Sequence, residues 1–278
     1  MFAALHTAPG PFLLPNAWDV ASALLLADAG FPAIGTTSLG VTAAAGLPDG
    51  AGAGRDLTVA LTAALVARLP VPLTVDLEGG YADDPAEVAD LAVQLADLGV
   101  AGINLEDGRP NGQLRPAVER AAIIRAVAAA APDLFINART DTYWLRTDTD
   151  HDRLPETLQR LAAYRDAGAA RAFTPGLSDR TAIQTVAATI GLPLNVLWQP
   201  GVSLADLGAA GSPESAPAQR STGTPSPPPL MPQPLPAPPP RPPPAPSTTS
   251  SCNDTCAHRP LNTATGSRSA TGIHRGGT

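Results

Sequence analysis

The 278-residue chain contains no lysine: all 18 basic residues are arginine, set against 25 acidic residues for a net charge of −7. Binding to nucleic acid or to an anionic membrane needs a basic face that releases counterions, so neither is expected as a partner. Cysteine is absent from residues 1–211; Cys252 and Cys256 both lie beyond. The first 211 residues therefore hold no disulfide, no thiolate metal site and no cysteine nucleophile. The histidines are His6, His151, His258 and His274. None ends a predicted strand, which leaves no candidate for a Ser–His–Asp arrangement or a histidine-ligated metal. No apolar window reaches the about 18–20 uncharged residues of a membrane helix, because Arg120 and Arg125 interrupt the most apolar helical stretch. The N-terminus lacks a basic region followed by an apolar one, so no signal peptide is read and the cytoplasm is the expected location.

Proline, in contrast, is abundant and unevenly placed. Residues 212–278 hold 17 of the 32 prolines. The same boundary divides the charge: residues 1–211 carry 13 Arg against 23 acids, a net −10, and residues 212–278 carry 5 Arg against 2 acids, a net +3. Residues 1–211 are long enough to bury one sizeable core. Residues 212–278 read as a disordered Pro-rich tail.

Short apolar runs alternate with helical runs along residues 1–211. Strands are predicted at 12–15, 33–36, 73–76, 102–106, 135–139, 172–175 and 194–197, each read as a strand buried on both faces. Helices are predicted at 18–29, 55–68, 85–98, 116–130, 153–167 and 179–190. Gly30, Gly99, Gly168 and Gly191 follow helix ends, where a left-handed cap is wanted. Pro85 opens a helix after Asp83-Asp84, with Glu87 in the first turn. Repeated strand–helix units imply a parallel sheet, either a barrel or a doubly wound sheet. Polar residues gather at strand C-terminal ends: Asn16, Thr37-Ser38, Asp76 with Glu78, Glu106-Asp107, Arg139 with Asp141, Thr174 and Asn195. A barrel brings those ends to one mouth, and no G-x-G-x-x-G follows the first strand to support a dinucleotide fold. Only seven strands are found where a barrel has eight.

Asp76 and Glu78 stand at i and i+2, on one side of a strand end. Glu106 ends the next strand. Three carboxylates on adjacent strands suit a hard divalent cation, and Mg²⁺ fits best because it takes few carboxylates and keeps its waters. A solvated acidic rim is the alternative. Arg139 can clamp a substrate carboxylate or phosphonate in two-pronged fashion, or pair with Glu106 or Asp141. Thr36-Thr-Ser-Leu-Gly40 offers hydroxyls and backbone N–H groups for an anion nest. Asp49 lies in a turn, Gly50-x-Gly52-x-Gly54 reads as a flexible connection, and Trp18 and Tyr81 as packing or mouth-lining aromatics.

Taken together, Leu14-Pro-Asn-Ala-Trp-Asp19, Thr36-Thr-Ser38, Gly46-Leu-Pro-Asp49, Asp76-Leu-Glu-Gly-Gly-Tyr81, Gly102-Ile-Asn-Leu-Glu-Asp107, Asn137-Ala-Arg-Thr-Asp141, Phe173-Thr-Pro-Gly176 and Pro193-Leu-Asn-Val196 resemble the isocitrate lyase/phosphoenolpyruvate mutase superfamily, in its carboxyphosphonoenolpyruvate phosphonomutase-like branch. The resemblance runs in order through about residues 2–211. It implies an α/β fold of the (α/β)8 TIM-barrel type and a homo-oligomer, tetramer or dimer, with the last helix swapped between subunits. It implies a Mg²⁺ site on Asp76, Glu78 and Glu106, some of them acting through water. It places Thr37, Ser38 and Leu39 on the loop that holds the substrate's carboxylate or phosphonyl group. Arg139 and Asn195 fall at substrate-binding positions, and Asp49 and Arg139 at catalytic ones. The chemistry implied is cleavage or formation of a C–C or P–C bond beside a 2-oxo or enolpyruvyl carboxylate, through an enolate. The loop Asp107–Arg115 lacks the cysteine that the superfamily's lyases carry there, which counts against isocitrate or methylisocitrate cleavage by the usual route and points to a decarboxylase, hydrolase, mutase or other branch that needs no thiol.

The resemblance also implies an eighth strand after Leu204–Gly208, where this chain has Ser212-Pro-Glu-Ser-Ala-Pro-Ala-Gln219. Proline cannot donate in a central strand. Read from one nucleotide earlier, codons for these residues admit Val-Thr-Arg-Val-Ser-Ala-Gly-Ser, the missing strand. Residues 212–278 are therefore expected to be a frameshift product, with a true Pro-rich linker or adaptor segment as the alternative. Cys252, Cys256 and His258 then carry no metal site. An inactive or truncated barrel is the rival to an enzyme.

Overall fold

Leu73-Thr-Val-Asp76, Gly102-Ile-Asn-Leu-Glu106 and Ile136-Asn-Ala-Arg139 each alternate apolar with polar or small residues. In a strand, alternate side chains point to opposite faces, so one side of the sheet is apolar and the other polar. The structure, a computed structural model, describes residues 2–8, 10–145, 153–198, 203 and 208, all within the unit Met1–Ala218. The strands are β1 (Asn16–Ala17), β2 (Ile34–Thr36), β3 (Leu73–Asp76), β4 (Gly102–Glu106), β5 (Phe135–Arg139), β6 (Arg171–Phe173) and β7 (Leu194–Asn195). They form one parallel sheet in the order β1-β2-β3-β4-β5-β6-β7. A doubly wound sheet reverses its order at a switch point; sequential order throughout is that of the (α/β)8 barrel. The place expected for an eighth strand and the whole of residues 212–278 lie outside the described residues.

The helices are α1 (Phe2–Thr7), α2 (Val20–Asp28), α3 (Ser38–Ala44), α4 (Arg55–Val66), α5 (Pro85–Leu98), α6 (Ala117–Ala130), α7 (Leu154–Asp166) and α8 (Arg180–Ile190). Leu73, Val75, Ile103, Leu105, Ile136 and Ala138 form the apolar face, and they are buried against Val88, Leu91 and Leu95 of α5, Ile123, Ile124 and Val127 of α6, and Leu161 of α7. The core is thus a shell between sheet and helices. The concave face carries Asp76, Asn104, Glu106, Asn137 and Arg139, with Asp76 opposite Asn104, Asn104 opposite Asn137 and Glu106 opposite Arg139. Both faces are buried, as expected of a parallel sheet, but only one of them is apolar.

Local signals set the boundaries. Asp84 caps α5 by accepting from the Ala86 N–H at 3.0 Å, and Gly99 closes the helix at φ +99°. Gly30, Gly168 and Gly191 also take positive φ. The helix predicted from Trp18 starts at Val20 because Asp19 and Ser22 form a capping box. The strand predicted at 12–15 is corrected to Asn16–Ala17. Pro15 accepts from the Gly35 N–H at 2.9 Å but has no N–H to return, so regular pairing begins one residue later. At the far end β7 has one strand neighbour among the described residues, and only two of the four predicted residues pair. The short helices α1 and α3 have no counterpart in the sequence prediction. At the N-terminal ends of the strands, α1 packs Phe2 and His6 against Phe135, and Arg171 donates to His6 Nδ1.

Candidate active site

Asp76 ends β3 with both its backbone and its side chain engaged. Its N–H donates to Thr36 Oγ1 at 2.9 Å. Its Oδ2 accepts from the Ser38 N–H at 3.0 Å and the Ser38 hydroxyl at 2.9 Å. Its Oδ1 is buried with no hydrogen-bond partner among the described residues. Ser38 occupies the first position of α3, with Thr37 as the preceding cap residue and half-exposed Leu39 beside it. The two Ser38 donors expected to serve an anion nest are therefore turned onto Asp76.

Glu78 lies just past β3 in a left-handed backbone conformation, φ +50°, followed by Gly80 at +97° and Tyr81 at +60°. Its Oε2 accepts from the Gly52 N–H at 3.1 Å, and its Oε1 is buried without a partner among the described residues. Burial raises the Glu78 carboxyl above the usual carboxylate range; the Gly52 N–H opposes this, and Asp49 and Asp76 add to it. Asp49 itself is exposed, in the turn before the Gly50–Gly54 segment. The glycine connection is thus tied to the acid cluster through Gly52.

Glu106 ends β4, and its N–H donates to the Glu78 carbonyl at 3.0 Å, which sets the two acids side by side. Burial pushes the Glu106 carboxyl up to about 8 against the pull of Arg139, with Asp76, Asp141 and Glu78 adding to the rise. Arg139 ends β5 and bonds both Glu106 Oε2, at 2.8 Å, and Asp141 Oδ1, at 2.6 Å. Its guanidinium carbon lies 5.7 Å from the centre of the Phe173 ring and 6.0 Å from that of Trp144. Asn195 stands on β7, paired with Phe173, and its carbonyl accepts from the Thr174 N–H at 3.2 Å. The C-terminal ends of β2 to β5 thus gather Ser38, Asp76, Glu78, Glu106 and Arg139. Thr37, Leu39 and Asp49 flank them, and Asn195 stands two strands beyond Arg139.

A second layer went unread in the sequence. Asp107 is fully buried, and it accepts from the Thr140 hydroxyl at 2.8 Å, the Asp141 N–H at 2.8 Å, the Tyr164 hydroxyl at 2.7 Å and Arg160 Nη1 at 3.3 Å. The strand period contained the signal: with Glu106 facing inward, Asp107 has to face the helices. Tyr81 shares a hydrogen bond with Thr58 at 3.0 Å, and so does more than pack.

The sequential parallel order and the site on its C-terminal rim agree with what a family profile finds: the phosphoenolpyruvate phosphomutase profile matches residues 2–213. The chain belongs to the phosphoenolpyruvate phosphomutase family. This is an enzyme family of lyases and phosphonomutases. The chain is 45% identical over 207 residues to the uncharacterized protein Rv1998c of Mycobacterium tuberculosis, a match spanning 74% of this chain and 77% of that protein. It is 34% identical over 202 residues to the 2-methylisocitrate lyase of Bacillus subtilis, spanning 69% of this chain and 64% of the lyase. A solved structure from Burkholderia cenocepacia J2315, carried under a provisional phosphonomutase name, superposes with a TM-score of 0.71 at 39% identity, over 76% of this chain and 88% of that one. Family membership supports the barrel-type fold. No helix among the described residues is long and apolar enough to cross a membrane.

Proposed function

We propose that this chain is a Mg²⁺-dependent enzyme that cleaves or forms a C–C or P–C bond next to a 2-oxo carboxylate, with an enolate forming as the bond breaks. The observation that carries this reading is the pair of buried carboxylate oxygens without partners, Asp76 Oδ1 and Glu78 Oε1, beside a Glu106 carboxyl held out of its usual range. Buried carboxylate oxygens without donors are costly unless a cation meets them. Among the described residues no three His, Cys, Asp or Glu side chains form a ready cage. Mg²⁺ takes one or two carboxylates directly and keeps several waters. Asp76, Glu78 and Glu106 would hold it, directly or through water. When bound, it supplies Lewis-acid stabilisation of the charge that develops on the 2-oxo oxygen.

The chain's own residues do the rest. Asp141 and Glu106 fix the plane of the Arg139 guanidinium, which orients it for a planar substrate carboxylate or a phosphonyl group. The start of α3, Thr37 to Leu39, lines the mouth next to Asp76, and Asn195 offers a polar contact from β7. With no thiol in residues 1–211, proton transfer falls to oxygen acids, and Asp49, on the loop that Gly52 ties to Glu78, is the proposed carrier. The test is turnover of oxaloacetate, phosphonopyruvate, 2-methylisocitrate and related acids by the full chain. Turnover of at least one acid that Asp76→Ala abolishes supports the reading; equal turnover by wild type and Asp76→Ala contradicts it.

A further inference from the structure

Arg120 on α6 is the largest fully buried side chain among the described residues. No carboxylate lies within ion-pair distance of it among those residues, and its Nε and Nη1 are buried without partners. Among the described residues its side chain makes one hydrogen bond, from Nη2 to the carbonyl of Gly79 at 3.0 Å. A buried guanidinium without an ion-pair partner is a costly way to satisfy a single carbonyl, and an apolar side chain of similar volume is often no less stable.

Gly79 is the residue between Glu78 at φ +50° and Gly80 at φ +97°, in a turn that ends at Tyr81 with φ +60°. Left-handed backbone at non-glycine residues persists only where the surroundings over-determine it. Here the Gly80 N–H donates to the Leu77 carbonyl at 2.8 Å, the Glu106 N–H to the Glu78 carbonyl at 3.0 Å, and Tyr81 is tied to Thr58. Arg120 adds a hold on the Gly79 carbonyl, between Glu78 and Gly80. A Cβ on residue 79 would lie 3.4 Å from Arg120 Nη2 and 3.9 Å from the Gly108 carbonyl, ordinary contact distances, so the guanidinium packs directly against the turn backbone. The charge also lies within the field of Asp107 and Glu106, whose attraction opposes the lowering of its pKa by burial and by Arg115.

We propose that Arg120 is a positioning residue: from behind the sheet it clamps the Gly79 carbonyl and so holds the left-handed turn that aims Glu78 at the site. The link to catalysis rests on the Mg²⁺ reading above; the clamp itself does not. Arg120→Met keeps the volume and removes the donors, whereas Arg120→Lys keeps a charge and a donor for the carbonyl. Amide exchange of the full, metal-free chain, followed residue by residue, is expected to be faster by about tenfold or more at Glu78–Tyr81 in Arg120→Met, with α7 and α8 unchanged. Arg120→Lys should restore most of the protection. Calorimetric Mg²⁺ titration should show an affinity about tenfold weaker for Arg120→Met, with partial recovery in Arg120→Lys. Exchange at the turn that does not change in Arg120→Met overturns the proposal. So does exchange that rises uniformly along the chain without rescue by Lys, since that marks a role in stability alone. If wild type takes up no Mg²⁺, the functional reading falls, and the exchange result still decides the clamp.

Discussion

Ser38 and Asp76 are joined twice: the backbone N–H and the hydroxyl of Ser38 both donate to the same oxygen of Asp76, Oδ2, at 3.0 and 2.9 Å. That double contact fixes the carboxylate and leaves Oδ1 as the oxygen available to a cation. Removing one of the two donors costs about 1 kcal/mol of orientation. Ser38→Ala is therefore expected to lower kcat/KM by about fivefold, and Asp76→Ala to abolish turnover. Steady-state kinetics across a Mg²⁺ series checks the ranking; equal losses from the two substitutions would contradict it.

The Glu106 carboxyl carries a pH signature. It stays protonated up to about 8 in the folded, metal-free chain, against an ordinary value of 4.5 in the unfolded one. Between those limits the folded state holds the extra proton, so Glu106 makes the metal-free chain less stable as pH rises through the window. On the proposed reading, binding of Mg²⁺ beside Glu106 would require the ionised form and release that proton. Its affinity should therefore climb from pH 6.5 to 8.5, with proton release into the buffer. Calorimetry in buffers of different ionisation enthalpy measures both quantities, and an affinity flat with pH would contradict the assignment of Glu106.

His6 has the opposite sign. Burial, then the charge of Arg171, lowers its pKa to about 3 from an ordinary 6.5. The unfolded chain takes up the proton first, so this contribution to stability is lost as pH falls from 6.5 towards 3. His6→Phe, in a pocket already lined by Phe2, Phe12 and Phe135, should flatten the decline of Tm between pH 6.5 and 4. The quantity to follow is the difference between variant and wild type, because Glu106 acts in part of the same window. A parallel decline in both proteins would contradict it.

The layer around Asp107 makes a stability prediction. Tyr164→Phe removes one of four donors and is expected to cost about 1–2 kcal/mol. Asp107→Ala leaves Arg160 buried without that partner and is expected to cost about 3–5 kcal/mol. Urea unfolding separates the two; similar costs would show that Asp107 is not the centre of the network.

How much of this was legible in the sequence follows from the range of each interaction. β3, β4, β5 and α5 have the bounds read from the sequence, because their strand alternation or their caps, such as Asp84 and Gly99, are local. Asp76, Glu106 and Arg139 could be placed because each ends one of those strands. The turning of Ser38 onto Asp76 spans 38 residues of sequence and leaves no local trace. Arg120 read only as a charge interrupting an apolar helix; its place under the Gly79 carbonyl depends on how α6 packs. The short helices α1 and α3 went unread because six or seven residues hold too few turns to show a period.

The most direct test of the central claim is turnover of a 2-oxo acid by the full chain with Mg²⁺, after EDTA, and after Mg²⁺ is restored in excess. The account predicts that activity disappears with EDTA and returns with Mg²⁺. Turnover that proceeds equally well in EDTA would contradict it.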